Sequence, residues 1–193
     1  MERLQLSILA LPVFTVATFL STAAQADDSA STQFTITGTA PKVCALPVPV
    51  TTGTANNATF ASNTINITQF IDPNTALVTP ASLSLQFPNT LCNYSAKVSL
   101  QSKSGGLVAS NGSAVASSSG AFLQNVPYTV NASWGSFSLL LDTSTSKGST
   151  VVGETSGATA GNLTLTIATA ASTLPVPQGN YQDTLTLKIG APM

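Results

Sequence analysis

Pro177-Gln178-Gly179-Asn180-Tyr181-Gln182-Asp183-Thr184-Leu185-Thr186-Leu187-Lys188-Ile189 is the stretch whose pattern decides the fold. Gly179 and Asn180 are turn residues, and after them apolar and polar positions alternate with the period of a β-strand. Tyr181, Asp183, Leu185, Leu187 and Ile189 fall on one face, and Gln182, Thr184, Thr186 and Lys188 on the other. An aspartate on the apolar face is the anomaly. Near the start of a strand it can accept hydrogen bonds from loop N–H groups, while Tyr181 buries its ring and tethers its hydroxyl. The pair is therefore expected to pin a corner of the domain.

The same alternation recurs upstream. Gln33 to Ala40 places Phe34, Ile36, Gly38 and Ala40 on one face. Thr64 to Phe70 does so with Ile65 and Ile67, Ser82 to Phe87 with Leu83, Leu85 and Phe87, and Tyr94 to Gln101 with Ala96, Val98 and Leu100. Val126 to Trp134, Phe137 to Leu141 and Asn162 to Ala168 complete the set. With helix signals nearly absent, about eight strands predict an all-β sandwich. The Ser- and Gly-rich stretches Gly105 to Gly120 and Thr143 to Gly161 read as loops. Ala114 to Gly120 does not read as an interdomain linker, because the strand after Asn162 needs partners from the first half.

The first residues set the compartment. Glu2 and Arg3 precede an apolar run from Leu4 to Leu20, and Ala24-Gln25-Ala26 supplies the small residues of a cleavage site. Residues 1–26 are thus expected to be a signal peptide, cut after Ala26, and not a membrane anchor, since Pro12 and Thr15 interrupt the run. Residues 27–193 then form one domain. That part holds no histidine and no arginine, and its cations are five scattered lysines. It offers little to phosphate backbones or anionic lipid, so a nucleic-acid partner is not expected. Disorder is not expected either: 43% of residues are hydrophobic and the formal charge is -1, whereas disordered chains combine low hydrophobicity with high charge. Cys44 and Cys92 are the only cysteines, and an even count after export reads as a disulfide. Closing a loop of roughly 48 residues contributes up to about 4 kcal/mol by restricting the unfolded chain.

Catalytic chemistry has few candidates. Without histidine, Ser-His-Asp and Cys-His arrangements are excluded, and two sulfurs alone cannot fill a tetrahedral zinc site. A carboxylate pair drawn from Asp72, Asp142 and Asp183 is conceivable for glycoside chemistry, but Asp72 stands in a turn sequence, Asp142 closes an apolar strand ahead of a Thr-Ser loop and Asp183 lies in a strand. Gly105-Gly106 and Gly157 to Gly161 lack the lysine and helix of a phosphate loop. The Asn-x-Ser/Thr triplets at Asn57, Asn66, Asn93, Asn111, Asn131 and Asn162 are what so Asn- and Thr-rich a chain produces by chance. No enzyme, metal or cofactor is expected.

Gly179-x-Tyr181-x-Asp183-Thr184-Leu185 followed by an alternating strand resembles the closing signature of the spore coat protein U family, which includes archaic (Csu-type) chaperone-usher pilins. Cys44 after an alternating segment, Cys92 in Leu91-Cys92-Asn93 and the Pro127-Tyr128 to Trp134 strand resemble further parts of that family. The Pro-rich Ala45 to Val50 stretch and the long Ser/Gly loops depart from it. The resemblance implies an incomplete, immunoglobulin-like, pilin-type β-sandwich with a groove filled by a neighbour's N-terminal strand. It also implies a surface-fibre subunit supporting adhesion or biofilm formation, with a periplasmic chaperone, an outer-membrane usher and further copies as partners. Phe34, Ile36, Gly38 and Ala40 are the donor-strand candidates. With only Gly190 to Met193 beyond Ile189, no later strand is expected to cover the sheet edge. The rival reading is a self-contained secreted coat or binding protein whose N-terminal strand folds back into its own groove.

Overall fold

A computed structural model describes residues 31–110, 120–146 and 148–191. The predicted signal peptide and its cleavage site lie outside the described residues. The chain divides into two units at Thr39/Ala40. In the first, residues 31–39 carry no helix or strand, and Phe34 and Ile36 are 84% and 94% exposed. The strand predicted over Gln33 to Ala40 is therefore not formed. Alternation gives a segment a strand's faces, but a strand also needs a hydrogen-bonded neighbour, and among the described residues this one has none.

The second unit is an all-β sandwich. Its larger sheet runs in the order β1 (Cys44–Ala45), β5 (Ala81–Cys92), β12 (Thr159–Thr169), β9 (Tyr128–Trp134) and β10 (Phe137–Asp142), with β2 (Val50–Asn56) also paired to β5. The smaller sheet is β11 (Thr150–Glu154), β6 (Lys97–Ser102) and β14 (Leu185–Gly190). Alternation fixes which side chains meet between them. Leu83, Leu85, Val130, Ala132, Trp134, Leu163 and Leu165 from the first sheet join Ala96, Val98 and Leu100 in one core, all buried, with Leu185, Leu187 and Ile189 packed against it.

β1 and β2 share one edge of β5, separated by Leu46 to Pro49, where Pro47 and Pro49 cannot donate to a ladder. Pro88 sits in β5 at a bulge: Thr90 pairs with Gly161 and Phe87 with Leu163, so the register shifts across Pro88-Asn89, and Asn89 takes φ 55°.

Two smaller pieces complete the unit. β7 (Leu107–Ala109) pairs with β8 (Asn125–Val126) and with β13 (Tyr181–Gln182), over a second cluster of Val78, Val126 and Val176. The hairpin of β3 (Ala58–Ala61) and β4 (Thr64–Ile67) forms a sheet of its own.

Several expectations are corrected. The last strand is broken: Tyr181 and Gln182 pair with β7, the chain turns at Asp183-Thr184, and pairing resumes on β6 from Leu185. Parts of both predicted loops are strand (β7 and β11), and a single helical turn, α1 (Thr143–Ser146), starts the second. Val50–Asn56 and Ala58–Ala61 are strands with too few alternating apolar residues to signal it.

Candidate functional site

The two sheets come together along one side. There β10 and β11 meet, and the Phe137 ring lies on the backbone of Gly153, where a Cβ would stand 2.7 Å from Phe137 Cε2. Another region of the inter-sheet space is an open apolar groove of about 870 Å³. Leu83, Leu85, Leu165 and Ile167 of the larger sheet face it, as do Leu185 and Leu187 of β14, Leu46 and Pro49 ahead of β2, and Phe60, Ile65 and Ile67 of the β3–β4 hairpin. β14 pairs with β6 alone, so among the described residues its second edge carries no ladder. Unpaired backbone beside an apolar trough is the combination that accepts an added strand, because the ladder supplies affinity and the trough receives alternate side chains.

Asp183 stands at one end of this groove. Its Oδ1 accepts the backbone N–H groups of Ser104 at 2.9 Å and Thr184 at 2.7 Å. Its Oδ2 accepts the Tyr128 hydroxyl at 2.7 Å and the Ser102 hydroxyl. Ser102 Oγ in turn accepts the N–H groups of Gly105 at 2.9 Å and Gly106 at 3.1 Å. One carboxylate thus ties the ends of β6, β9 and β14 and the β6–β7 turn. Partial burial pulls its pKa upward, but these hydrogen bonds to the ionised form outweigh that and hold it below the usual carboxylate range. Burial, reinforced by the neighbouring Asp183 charge, pushes the Tyr128 phenol well above its ordinary value, although the Ser102 hydrogen bond opposes it.

Tyr181 donates its hydroxyl to the Pro177 carbonyl at 2.9 Å and packs against Phe70 with ring centroids 5.0 Å apart. Gly179 also lines the groove, and a Cβ there would make only ordinary contacts with Ala109 and Tyr181. The Thr184 carbonyl accepts the Lys103 N–H at 2.9 Å, closing the turn before Leu185.

Cys44 and Cys92 form a disulfide and sit opposite one another in the β1–β5 register. Asn93 secures the same junction. Its side chain accepts the Val43 N–H at 2.8 Å and donates to the Pro41 carbonyl at 2.7 Å, and its own N–H donates to the Val43 carbonyl at 3.1 Å. Lys42 Nζ lies 5.1 Å from the centre of the Tyr94 ring. The segment entering β1 is thereby fixed to the body immediately after the donor-strand candidates Phe34, Ile36, Gly38 and Ala40.

Asp72 and Asp142 cap turns. Asp72 Oδ1 accepts the N–H groups of Asn74 at 2.8 Å and Thr75 at 3.1 Å, and Asp142 Oδ1 accepts the N–H of Ser144 at 2.9 Å and its hydroxyl at 2.7 Å. These bonds lower both pKa values. Among the described residues no group of three metal-ligating side chains is assembled, and no helix is long and apolar enough to cross a membrane.

Ser102, the Tyr128 hydroxyl and β3, the first strand of the hairpin, are the parts of the site that sequence reasoning missed; β4 lies within the strand expected over Thr64 to Phe70. Ser102 ends a strand in a chain full of serines, and nothing local marks its partnership with Asp183. Tyr128, second in Pro127-Tyr128, was legible as a strand residue but not as a hydrogen-bond donor. Compared with family models, curated proteins and solved structures, the chain matches none.

Proposed function

We propose that this protein is a structural subunit of a bacterial surface fibre of the archaic chaperone-usher kind, assembled by insertion of one copy's N-terminal segment into the groove of the next. The observation that carries the reading is the apolar groove beside the edge of β14 that carries no ladder among the described residues. A sandwich with such a trough gains both main-chain hydrogen bonds and buried apolar area when a strand is added. Two further features agree. Phe34 and Ile36 alternate with polar residues and stand exposed, as a segment that finds its partner on another molecule requires. The Cys44–Cys92 disulfide fits an oxidising compartment, in keeping with export to the periplasm and then the cell surface. Burying Phe34 and Ile36 on insertion contributes on the order of 3 to 6 kcal/mol before the ordering cost. Chaperone and usher are the partners this route requires.

The test is assembly itself. The protein from Asp27 onward, refolded with its disulfide intact, is expected to give a ladder of non-covalent oligomers in size-exclusion chromatography. Deleting Asp27 to Ala40 is expected to collapse the ladder to monomer. A stable monomer of the undeleted protein identifies the self-contained coat or binding protein instead, and a deleted protein that still polymerises removes the donor role from this segment.

A further inference from the structure

The β3–β4 hairpin is a wall of the groove whose strands belong to neither sandwich sheet. It is built as a self-contained flap. Four residue pairs, Ala58 with Ile67 through Ala61 with Thr64, make its ladder, and Ser62 and Asn63 close it with φ of 48° and 61°. Two consecutive positive φ values are the signature of a type I′ turn, which matches the twist of a two-residue hairpin.

Its faces differ. Phe60, Ile65 and Ile67 pack partly buried against the sandwich core, whereas Thr59, Ala61, Thr64 and Asn66 are exposed. The neck is a hydrogen-bonded hinge. Asn57 takes φ 51°, its side chain accepts the Gln69 N–H at 2.7 Å and donates to the Gln69 carbonyl at 2.7 Å and the Pro80 carbonyl at 3.3 Å, and its carbonyl accepts the Thr68 N–H at 3.0 Å. The flap is thus held firmly at its base and rests on the groove through apolar contact, with no ladder to either main sheet among the described residues. Apolar contact is non-directional and can be exchanged for equivalent contact with another side chain, whereas a ladder must be broken bond by bond.

We propose that the β3–β4 hairpin is a displaceable lid that shields the groove's apolar floor in the unassembled subunit and is pushed aside when a strand from a second copy enters. This rests on reading the groove as a strand acceptor. The lid would limit exposed apolar surface before assembly and set the rate at which the groove accepts its strand.

The probe is a fluorescein-labelled synthetic peptide spanning Asp27 to Lys42, added in excess to the exported protein and followed by anisotropy. Phe60→Ser together with Ile65→Ser weakens the lid's grip while leaving the turn and the Asn57 neck in place, and is expected to speed peptide association about tenfold, the factor that a loss of roughly 1.4 kcal/mol of closure produces. Hydrogen exchange on the unmodified protein supplies a second readout that does not depend on the variant folding: peptide binding should reduce protection of the amides of Ala58 to Ile67 while β5 and β12 remain protected. Equal association rates with unchanged hairpin protection would show a permanent wall and overturn the lid. Absence of binding to either protein overturns the strand-acceptor reading itself, and the lid with it.

Discussion

Asp183 gathers two backbone N–H donors on one oxygen and two hydroxyls on the other, so at the residue scale its charge organises the end of the groove. Asp183→Asn replaces one acceptor oxygen with an NH₂ group that cannot receive a hydroxyl proton, and is expected to lower stability by about 1–2 kcal/mol in urea unfolding, a figure reduced for solvent at the carboxylate. Tyr128→Phe removes one of the hydroxyl donors alone, so its loss should be the smaller. The pH dependence follows from the direction of the shift. A carboxylate held below its unfolded value of about 3.9 contributes stability that is fully present above that value and lost as pH falls through the folded one. Thermal melts of the native protein should therefore lose an increment on acidification below about pH 4, and Asp183→Asn should flatten that acid limb. Coincident limbs would deny Asp183 the role. The aspartate's anomalous place on an apolar face was legible in the sequence, because charge at such a position demands partners; its donors Ser102 and Tyr128 were not, being 81 and 55 residues away along the chain.

Elements distribute the stability unevenly around the sandwich. On the closed side, Gly153 lets the Phe137 ring lie flat on β11, and Gly153→Val would drive a branched side chain into that ring. Overpacking of this kind is expected to cost about 1–3 kcal/mol, read as a lower urea midpoint with an unchanged slope. At the edge, β1 pairs with β5 over only two residue pairs, and the Cys44–Cys92 bridge reinforces that attachment together with the Asn93 hydrogen bonds. Replacing both cysteines with serine should lower stability by up to about 4 kcal/mol and expose the β5 edge, detectable as faster hydrogen exchange at Leu91 and Cys92→Ser. Strands with clear alternation, such as Ser82 to Phe87 and Tyr94 to Gln101, were legible because burial on one face imposes the period. Val50–Asn56 was not: it is an edge strand with mostly exposed residues, and no burial requirement disciplines its sequence.

For the whole molecule the asymmetry is the consequential property. A sandwich sealed along β10–β11 and open beside β14 can be completed by a strand from elsewhere, and the expected outcome is heterologous, head-to-tail association that does not close on itself. Dilution into denaturant followed by refolding at rising protein concentration should shift the oligomer ladder upward, while addition of the Asp27 to Lys42 peptide should cap it at short lengths. A ladder unmoved by the peptide would place the contact outside the groove. Both outcomes are read by size-exclusion chromatography.

The closing stretch around Tyr181 to Ile189, with its alternation and misplaced aspartate, determined by itself that the chain is all-β and that a polar pin would stand near the last strand. Alternation is a local consequence of having one wet and one dry face, and it is written wherever a strand is half buried. Only the tertiary structure decided that this strand breaks at Asp183-Thr184, passes from β7 to β6 and leaves its second edge beside an open groove. The hairpin over that groove was equally a tertiary matter. Which edge stays unpaired depends on the order in which distant segments assemble, and no short window of sequence carries that order.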